Sequence, residues 1–354
     1  MTSDLNEIFK SMFIETHDEG MTFNSRVLLI DGMNTFMRNF CAIPTMDEGG
    51  HHIGGTAGFL RSIGYTIRTL KPSRVIIAFD GLGGSQRRRK IFPNYKAHRK
   101  PFVRLNRPGD FKSEEQEQEN MKFQLTSLMA ILATMPLTTI VQENIEADDI
   151  IGYLAKHIES IGGTSIIYSS DKDFLQLAND QIIIYSPIRK KTYTADLIAE
   201  EYLTHPNNFV FYRALLGDKS DNINGIMGAG EKTLHKYLPE FKDPDSNINY
   251  KFVVDKFKDV KKIPKVIEKI IAQEDLIKRN MKLMNLSEQQ ISDTTKLKIL
   301  AAFRSELRKL NKPDLTKCMI SARVMSNFPN YDEWVTFSIS PLMRFYGTDR
   351  TEGI

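Results

Sequence analysis

Five short runs of apolar, mostly β-branched residues recur in the first 185 residues of the chain without polar alternation. They occupy residues 26–30, 74–79, 138–141, 165–168 and 181–185. Continuous apolar character of this kind is typical of strands that are buried on both faces of a sheet. Between most of them the apolar positions fall at helical spacing, as in residues 56–70, 123–133 and 148–160. The pattern predicts an α/β fold with a mainly parallel central sheet flanked by helices.

Acidic residues stand at or just beyond the ends of several predicted strands. The carboxyl ends of parallel strands meet at one edge of a sheet, so we expect these side chains to lie close together. A single Asp in such a place is more often a turn former or a helix N-cap, and acids in a first helical turn also complement the helix dipole. Turn chemistry does not explain so many acids at equivalent positions. They are Asp31, Asp80, Glu146, Asp148, Asp149, Asp171 and Asp173.

Carboxylates in such numbers repel one another strongly unless cations offset their charge. Oxygen ligands without a cluster of histidines favour Mg²⁺ or Mn²⁺ over zinc. Cys41 and Cys318 are too few and too far apart for a thiolate site or a disulfide framework. The sequence therefore predicts a carboxylate-lined site for two metal ions, and such sites hydrolyse phosphate esters with a metal-activated water.

In a second acidic segment, residues 215–238, two Asp residues are followed by three glycines and then by a helical pattern. It is not a nucleotide-binding P-loop, because Glu231 separates the last glycine from the lysine. It predicts a helix–hairpin–helix whose backbone amides bind a phosphate without reading base sequence, and a plain turn between two helices is the alternative. The residues concerned are Asp218, Asp221, Gly225, Gly228, Gly230, Lys232 and Thr233.

The net charge of +4 does not by itself imply nucleic acid, but the distribution of charge is informative. Ten Lys or Arg residues and one acid lie between Arg87 and Lys112, with aromatic residues among them. Such a run is often a solvated surface, yet this composition also suits a surface that follows a phosphate backbone and stacks on bases. No apolar run approaches the about 20 residues of a membrane span, and no secretory signal is present. We expect a cytoplasmic protein.

Six motifs occur in a single order along residues 26–238: "LLIDGMNTFMR", "IAFDG", "RRRKIFPNYKAHRKP", "EADDIIGYLA", "SSDKDFLQL" and "GDKSDNINGIMGAGEKT". Together they resemble the 5′-nucleases of the flap endonuclease superfamily. That family includes the 5′-nuclease domains of bacterial DNA polymerases I and stand-alone phage enzymes. The chain is most similar to the stand-alone type, such as the ribonuclease H enzymes of T-even bacteriophages, and we expect no polymerase domain.

The resemblance implies a helical arch over the metal-binding edge and a set of ligands. One metal ion would be held by Asp31, Asp80, Glu146 and Asp148. The other would be held by Asp171, Asp173 and Asp221, with Asp149 and Asp218 in supporting positions. Lys96 resembles the family's lysine at the base of the arch, and Arg88 or Arg89 resembles the arginine that steadies the scissile phosphate. Nucleic acid would be bound by Arg87, Arg99, Lys100, Gly228, Gly230, Lys232 and Thr233, with K⁺ as a further ligand of the hairpin.

The domain organisation that we predict has four parts. An N-terminal extension (1–25) precedes the nuclease core (26–205, with the arch at about 84–122), the helix–hairpin–helix (206–240) and a mostly helical C-terminal region (241–354). In the hairpin, Ala229 replaces the larger aliphatic residue that is usual in the family, so we expect its packing to differ.

The predicted function is a Mg²⁺-dependent 5′-3′ nuclease, both exonuclease and flap endonuclease, that acts on branched or flapped DNA and on RNA primers paired with DNA in replication. We expect a monomer, with a single-strand-binding protein or a sliding clamp as further partners. One alternative is a PIN-like ribonuclease, against which the second Asp pair and the glycine hairpin argue. Another is a non-catalytic binder of branched DNA, which would be expected to have lost acidic ligands.

Overall fold

The computed structural model describes residues 22–97, 113–287 and 291–346. Within them a six-stranded sheet has the order β3-β2-β1-β4-β5-β6. All neighbouring strands are parallel except β5 and β6. The five predicted strands are confirmed, and the short β6 was missed because its three residues carry no apolar run. The strands are β1 (Arg26–Asp31), β2 (Arg74–Asp80), β3 (Thr138–Gln142), β4 (Thr164–Tyr168), β5 (Ile182–Ser186) and β6 (Lys191–Tyr193).

Helices alternate with the strands, as predicted. They are α1 (Gly32–Ala42), α2 (Gly54–Leu70), α3 (Gln86–Ile91), α4 (Glu114–Leu132), α5 (Ala147–Ser160) and α6 (Ala195–Tyr202). Helix α4 begins nine residues before the predicted start at Phe123. Its first turn is capped by Ser113 and carries three glutamates, so its early turns show no apolar stripe in the sequence.

The two faces of the sheet are covered by different elements. Side chains of α1, α2 and α4 pack on one face, and α5 packs on the other against β1 and β2. The buried stripe of α5 consists of Ile150, Ile151, Leu154 and Ile158. This stripe fixes the first turn of α5, which holds the acidic residues, at the carboxyl end of the sheet.

A helix–hairpin–helix follows the sheet. Helix α7 (Pro206–Leu216) leads into a two-stranded ribbon, β7 (Gly217–Asp218) and β8 (Ile223–Asn224), and then into α8 (Glu231–Tyr237). Gly228 has φ of +93°, a backbone conformation that favours glycine. Ala229 is buried in the same cluster as Ile226 and Leu234, so the small side chain is closely packed.

The C-terminal region is helical, as expected, but its helices are shorter than predicted. The Lys-rich stretch 251–282 forms three helices, α9 (Tyr250–Phe257), α10 (Lys265–Ala272) and α11 (Glu274–Met284), because Pro264 and Gln273 interrupt it. The helix predicted at 296–310 is α12 (Asp293–Phe303), and α13 (Lys312–Ser321) and α14 (Tyr331–Trp334) follow. Residues of α12 pack on one face of the sheet, and those of α13 and α14 contribute to the core on the other. The extension 1–21 and residues 98–112 of the expected arch lie outside the described residues.

Candidate metal centre

The two central strands, β1 and β4, deliver acidic residues to the point where the strand order reverses. Asp31 ends β1 and caps α1, and its Oδ1 accepts a hydrogen bond from the backbone N–H of Asn34 at 3.0 Å. Asp171 follows β4 and caps the 3₁₀ helix Lys172–Leu177 by accepting from the N–H of Asp173 at 2.8 Å. Asp31 and Asp171 therefore both act as helix N-caps. Crevices at such reversal points are where open α/β sheets bind ligands.

The neighbouring strands bring further acids to the same place. Asp80 ends β2, is exposed, and accepts a hydrogen bond from the N–H of Ala147 at 2.7 Å. This bond ties the first turn of α5 to the end of β2. As a result Glu146, which is buried, and Asp148, which is half-buried, stand over the end of the sheet. We call the edge formed by Asp31, Asp80, Glu146, Asp148 and Asp171 the carboxylate edge.

Electrostatic repulsion links most members of this edge. Burial, together with the charges of Asp80 and Asp171, raises the pKa of Asp31 to about 7. Burial and the charges of Asp31 and Asp171 raise the pKa of Asp148. Burial also raises the pKa of Asp171 itself, to which Asp221 and Asp218 add. These carboxylates thus share one region whose negative charge is poorly offset.

A second acidic group lies beside the edge and is bridged by Arg213 of α7. The Nε of Arg213 donates to Asp173 Oδ1 at 3.0 Å, and its Nη2 donates to Asp218 Oδ2 at 2.5 Å. Burial and the charge of Asp171 raise the pKa of Asp173 to about 7 despite this bond. Asp221 accepts a hydrogen bond from the Tyr95 hydroxyl at 3.0 Å.

Basic residues of the segment 87–96 compensate the first turn of α5. Arg88 is buried, and its guanidinium contacts both Glu146 and Asp149. Lys96 contacts the other oxygen of Glu146, and Arg87 donates to Asp149 at 2.8 Å. Burial alone would raise the pKa of Glu146, but the charges of Arg88 and Lys96 hold this pKa below its ordinary value. Asp149 is fully buried in these contacts, which fits a supporting position.

Lys96 also connects the segment 86–97, the base of the expected arch, to the hairpin. Its φ is +58°, and its backbone N–H donates to the carbonyl of Asp221 at 3.0 Å. The side chain of Asn222 donates to the carbonyl of Asn94 at 2.8 Å. A left-handed backbone at a non-glycine residue is retained only where surrounding contacts enforce it, and these contacts do so.

The remaining predicted residues are not part of these contacts. Arg89 and Lys232 are exposed, as are Gly228 and Gly230, and Thr233 is half-buried. Arg99 and Lys100 lie outside the described residues. Sequence reasoning missed Arg213 and the role of Tyr95. The only signal for Arg213 is its position five residues before Asp218, which places a basic residue in the last turn of the helix that leads into the acidic hairpin.

Among residues 22–97, 113–287 and 291–346, no three Asp, Glu, His or Cys side chains are arranged so that they hold a metal ion as they stand. The pairing described above accounts for part of this, since four of the nine predicted ligands contact basic side chains: Glu146, Asp149, Asp173 and Asp218. The donor set consists of carboxylate oxygens alone, and carboxylate charges raise the pKa values of Asp31, Asp148 and Asp171. Such a set fits hard divalent cations.

A carboxylate-lined edge of a parallel sheet, next to the basic residues of 87–96 and a helix–hairpin–helix, is typical of a nuclease that acts on nucleic-acid backbones. The comparison with protein families agrees. The model of the 5′-3′ exonuclease N-terminal, resolvase-like domain matches residues 26–203, half of the chain. The chain belongs to this 5′-3′ exonuclease family, and the predicted 5′-nuclease class is confirmed.

Curated relatives lead to the same family. A 5′-3′ exonuclease of Aquifex aeolicus is 28% identical over 214 residues, which are 60% of this chain and 68% of the relative. The DNA polymerase I of Bacillus subtilis is 32% identical over 226 residues, which are 62% of this chain and 24% of the polymerase. The chain thus spans about two thirds of the first relative and about a quarter of the second.

Solved structures confirm the fold. The D15 protein of bacteriophage T5, co-crystallised with metal ions, matches with a TM-score of 0.58 at 20% identity, over 84% of this chain and 98% of that chain. Human GEN1 in complex with Holliday junction DNA matches with a TM-score of 0.51 at 12% identity, over 99% of this chain and 81% of that chain. In the part of the chain that the structure describes, none of the helices has the length and apolar character that crossing a bilayer requires.

Proposed function

We propose that this chain is a Mg²⁺-dependent, structure-specific 5′-3′ nuclease that cuts DNA flaps and RNA primers paired with DNA. The observation that carries the proposal is the convergence of the acidic residues at the carboxylate edge, where burial and neighbouring carboxylates raise the pKa values of Asp31, Asp148 and Asp171. A fold keeps such repulsion when a bound cation offsets it in the working state. The relatives in DNA polymerases I support a role in replication and lagging-strand primer removal.

The chain offers two groups of carboxylates for two ions. Asp31, Asp80, Glu146 and Asp148 would hold one ion, and Asp171, Asp173 and Asp221 the other. Asp149 and Asp218 would orient the basic side chains that they contact. When bound, the ions would activate a water nucleophile and offset negative charge on the phosphate. Mn²⁺ offers the same ligand preferences as Mg²⁺ and would substitute for it.

Two kinds of basic side chain would act on the substrate. Lys96 contacts Glu146 from the base of the expected arch, so its ammonium would lie beside the scissile phosphate and stabilise the charge that develops there. Arg89 is exposed one residue after the buried Arg88, so Arg89 is the better placed of the two to contact a phosphate. Arg88 would instead orient Glu146 and Asp149.

The hairpin would hold the duplex. The backbone of Gly228 and Gly230, with Lys232 and Thr233, is accessible to a phosphate, and the hairpin carbonyls would bind K⁺. Arg87, Arg99 and Lys100 would contact the strand near the arch, and the lysines of α9 to α11 would extend the duplex-binding surface. Binding of this kind reads the backbone and not the base sequence.

The test uses a 5′-labelled flap duplex and a 5′-labelled RNA–DNA hybrid with wild-type protein and with Asp171→Asn, in Mg²⁺ and in EDTA. The matched control is Asp196→Asn, which removes an exposed carboxylate in the first turn of α6. We expect cleavage in Mg²⁺ only, full activity in the control, and a loss of several orders of magnitude in Asp171→Asn.

The outcomes separate the remaining alternatives. If wild type and Asp171→Asn bind the flap equally and neither cuts in Mg²⁺ or Mn²⁺, the chain is a binder of branched DNA. If the flap is cut and the hybrid is not, the RNA primer part of the proposal is wrong. A cytoplasmic location, a monomeric state and docking of a single-strand-binding protein or sliding clamp stay predictions.

A further inference from the structure

Helix α11 lies beyond the segment that the family model matches, yet it contacts three segments of the site. We propose that Asn280 of α11 is a positioning residue that sets the hairpin, and with it the bound duplex, at a fixed distance from the carboxylate edge. The inference rests on the proposed function, because it concerns where that nuclease cuts its substrate.

The first contact is with the hairpin. Asn280 is completely buried, and its Nδ2 donates to the carbonyls of Ala214 and Asn224, both at 2.9 Å. Ala214 lies in the last turn of α7, where carbonyls lack partners within the helix. Asn224 lies in β8, which pairs with the strand that contains Asp218. One amide group therefore joins the end of α7 to the acidic ribbon.

The second contact is with the base of the arch. Arg279 donates to Asn280 Oδ1 at 3.0 Å, and its guanidinium lies 4.4 Å from the centre of the Phe92 ring. Near the end of α11, the carbonyl of Leu283 accepts a hydrogen bond from Arg88 Nε at 2.9 Å. Because Arg88 also contacts Glu146, α11 is one residue away from a predicted metal ligand.

The third contact is with the 3₁₀ helix Lys172–Leu177. Gln176 is buried and donates from Nε2 to the carbonyl of Met284 at 2.9 Å and to that of Asp173 at 2.7 Å. Its Oε1 accepts from the N–H of Leu286 at 2.8 Å. The end of α11 is thus fixed to the backbone of a second predicted ligand.

These contacts make α11 a common support for the hairpin, the arch base and the carboxylate edge. A nuclease that holds duplex at the hairpin selects the scissile bond by the distance from hairpin to edge. Of the three contacts, only that of Asn280 joins α11 to the hairpin without involving a predicted metal ligand or its direct partner. Asn280 is therefore the place where this distance can be perturbed without replacing a predicted metal ligand or its direct partner.

The experiment compares Asn280→Ala with wild type on a 5′-flap duplex in Mg²⁺, with products sized to single nucleotides and with kcat and KM measured. We expect cleavage to spread over neighbouring bonds and kcat at the main bond to fall by about 10²-fold, the scale of a misplacement of about 1 Å. No predicted ligand is replaced in the variant, so the metal concentration for half-maximal activity should change far less than in Asp221→Asn, although Asp221 lies between the strands of the ribbon that Asn280 contacts.

The matched control is Asn208→Ala. Asn208 is also completely buried, donates from Nδ2 to the carbonyls of Phe241 and Asp243, both at 3.2 Å, and accepts from the N–H of Ile248. It lies in the first turn of α7 and ties that turn to the segment 241–248, away from the acidic ribbon. We expect a comparable loss of stability with an unchanged cleavage position.

A second variant guards against misfolding of Asn280→Ala. Arg279→Met keeps the aliphatic stem of a half-buried side chain but removes the contact with the Phe92 ring and the bond to Asn280. It should show the same spread of products at a smaller amplitude. Products at the wild-type bond in both variants, or the same spread in Asn208→Ala, would overturn the inference while leaving the nuclease proposal intact. Absence of cleavage by wild type would instead overturn the proposed function.

Discussion

Arg88 and Asp149 form two parallel hydrogen bonds, with guanidinium nitrogens 2.9 and 3.0 Å from the carboxylate oxygens, and both side chains are almost completely buried. The same guanidinium contacts Glu146. Arg88 is thus enclosed by the first turn of α5 and by the end of α11, and its charge is paired with the carboxylates of Glu146 and Asp149. Its main effect should be on the stability and geometry of the acidic turn.

We predict that Asp149→Asn lowers the free energy of unfolding by about 3 kcal/mol, since removing one partner of a buried ion pair leaves the other charge uncompensated. Glu146 remains beside Arg88, which keeps the loss at the lower end of the range for such pairs. Urea unfolding at neutral pH measures it. The control is Lys156→Met, which breaks the partly exposed pair with Glu159 and should change the free energy of unfolding by no more than about 0.5 kcal/mol. Equal stability of Asp149→Asn and wild type would contradict the assignment of Asp149 as a support.

Substitutions of the adjacent Arg88 and Arg89 should have different effects on substrate binding and on stability. Arg89 is exposed, so Arg89→Ala should leave stability unchanged, raise KM for a flap substrate, and lower the dependence of log K on log salt by about one unit, as loss of one phosphate contact does. Arg88→Lys loses the paired geometry that lysine cannot form and should mainly lower stability. Binding isotherms at several salt concentrations, together with urea unfolding, measure both. If Arg88→Lys is stable and shows the salt effect instead, the two roles are reversed.

The acidic residues could be predicted from the sequence because strand ends and first helical turns are visible in the pattern of apolar residues. Whether Arg88 or Arg89 faces the protein interior could not be predicted in the same way. Successive residues of a helix point about 100° apart, so Arg88 and Arg89 receive opposite environments that only packing determines. Arg213 was missed because its pairing with Asp173 depends on how α7 packs beside the 3₁₀ helix. The two residues are 40 positions apart along the chain.

The lengths of the C-terminal helices were hard to predict for a related reason. The lysines of 251–282 recur at helical spacing through Pro264, although the proline and the segment before it end one helix and begin another. The buried amide of Asn280 carries no pattern at all in the sequence. Its function depends on two carbonyls that lie 66 and 56 residues away.

The acidic residues of the site should make the metal-free protein more stable at lower pH over part of the range. The pKa of Asp31 and that of Asp173 are each raised from 3.8 to about 7, so the folded state binds these protons more tightly than the unfolded state. Stability from this source therefore increases as pH falls through 7. One carboxyl with a pKa of 7 gives about 1.4 kcal/mol between pH 8 and pH 6.

This effect is measured by urea unfolding in EDTA at pH 8 and pH 6, as the difference between wild type and Asp31→Asn. Taking the difference removes the opposite contribution of His157, His205 and His235, whose pKa values burial lowers. Asp31→Asn should be the more stable protein at pH 8 and should lose that advantage at pH 6. Saturating Mg²⁺ should also remove it, because the bound cation offsets the charge. An advantage that persists at both pH values would show that repulsion at the edge is not its cause.

The hairpin provides the last prediction, through two glycines that differ only in backbone conformation. A Cβ at either Gly228 or Gly230 would meet no atom within 4 Å, but only Gly228 has a positive φ, of +93°. Gly228→Ala should therefore cost about 1–2 kcal/mol in unfolding free energy through backbone strain, which would be relieved by distorting the hairpin. Gly230→Ser supplies a good N-cap to α8 and should be neutral or slightly stabilising. Duplex affinity should be lower for Gly228→Ala than for wild type, because the strain distorts the hairpin. It is measured without metal so that no cleavage occurs. Unchanged affinity in a destabilised Gly228→Ala would mean that the hairpin shape does not determine duplex binding, and the lysines of α9 to α11 would then be the main duplex contacts.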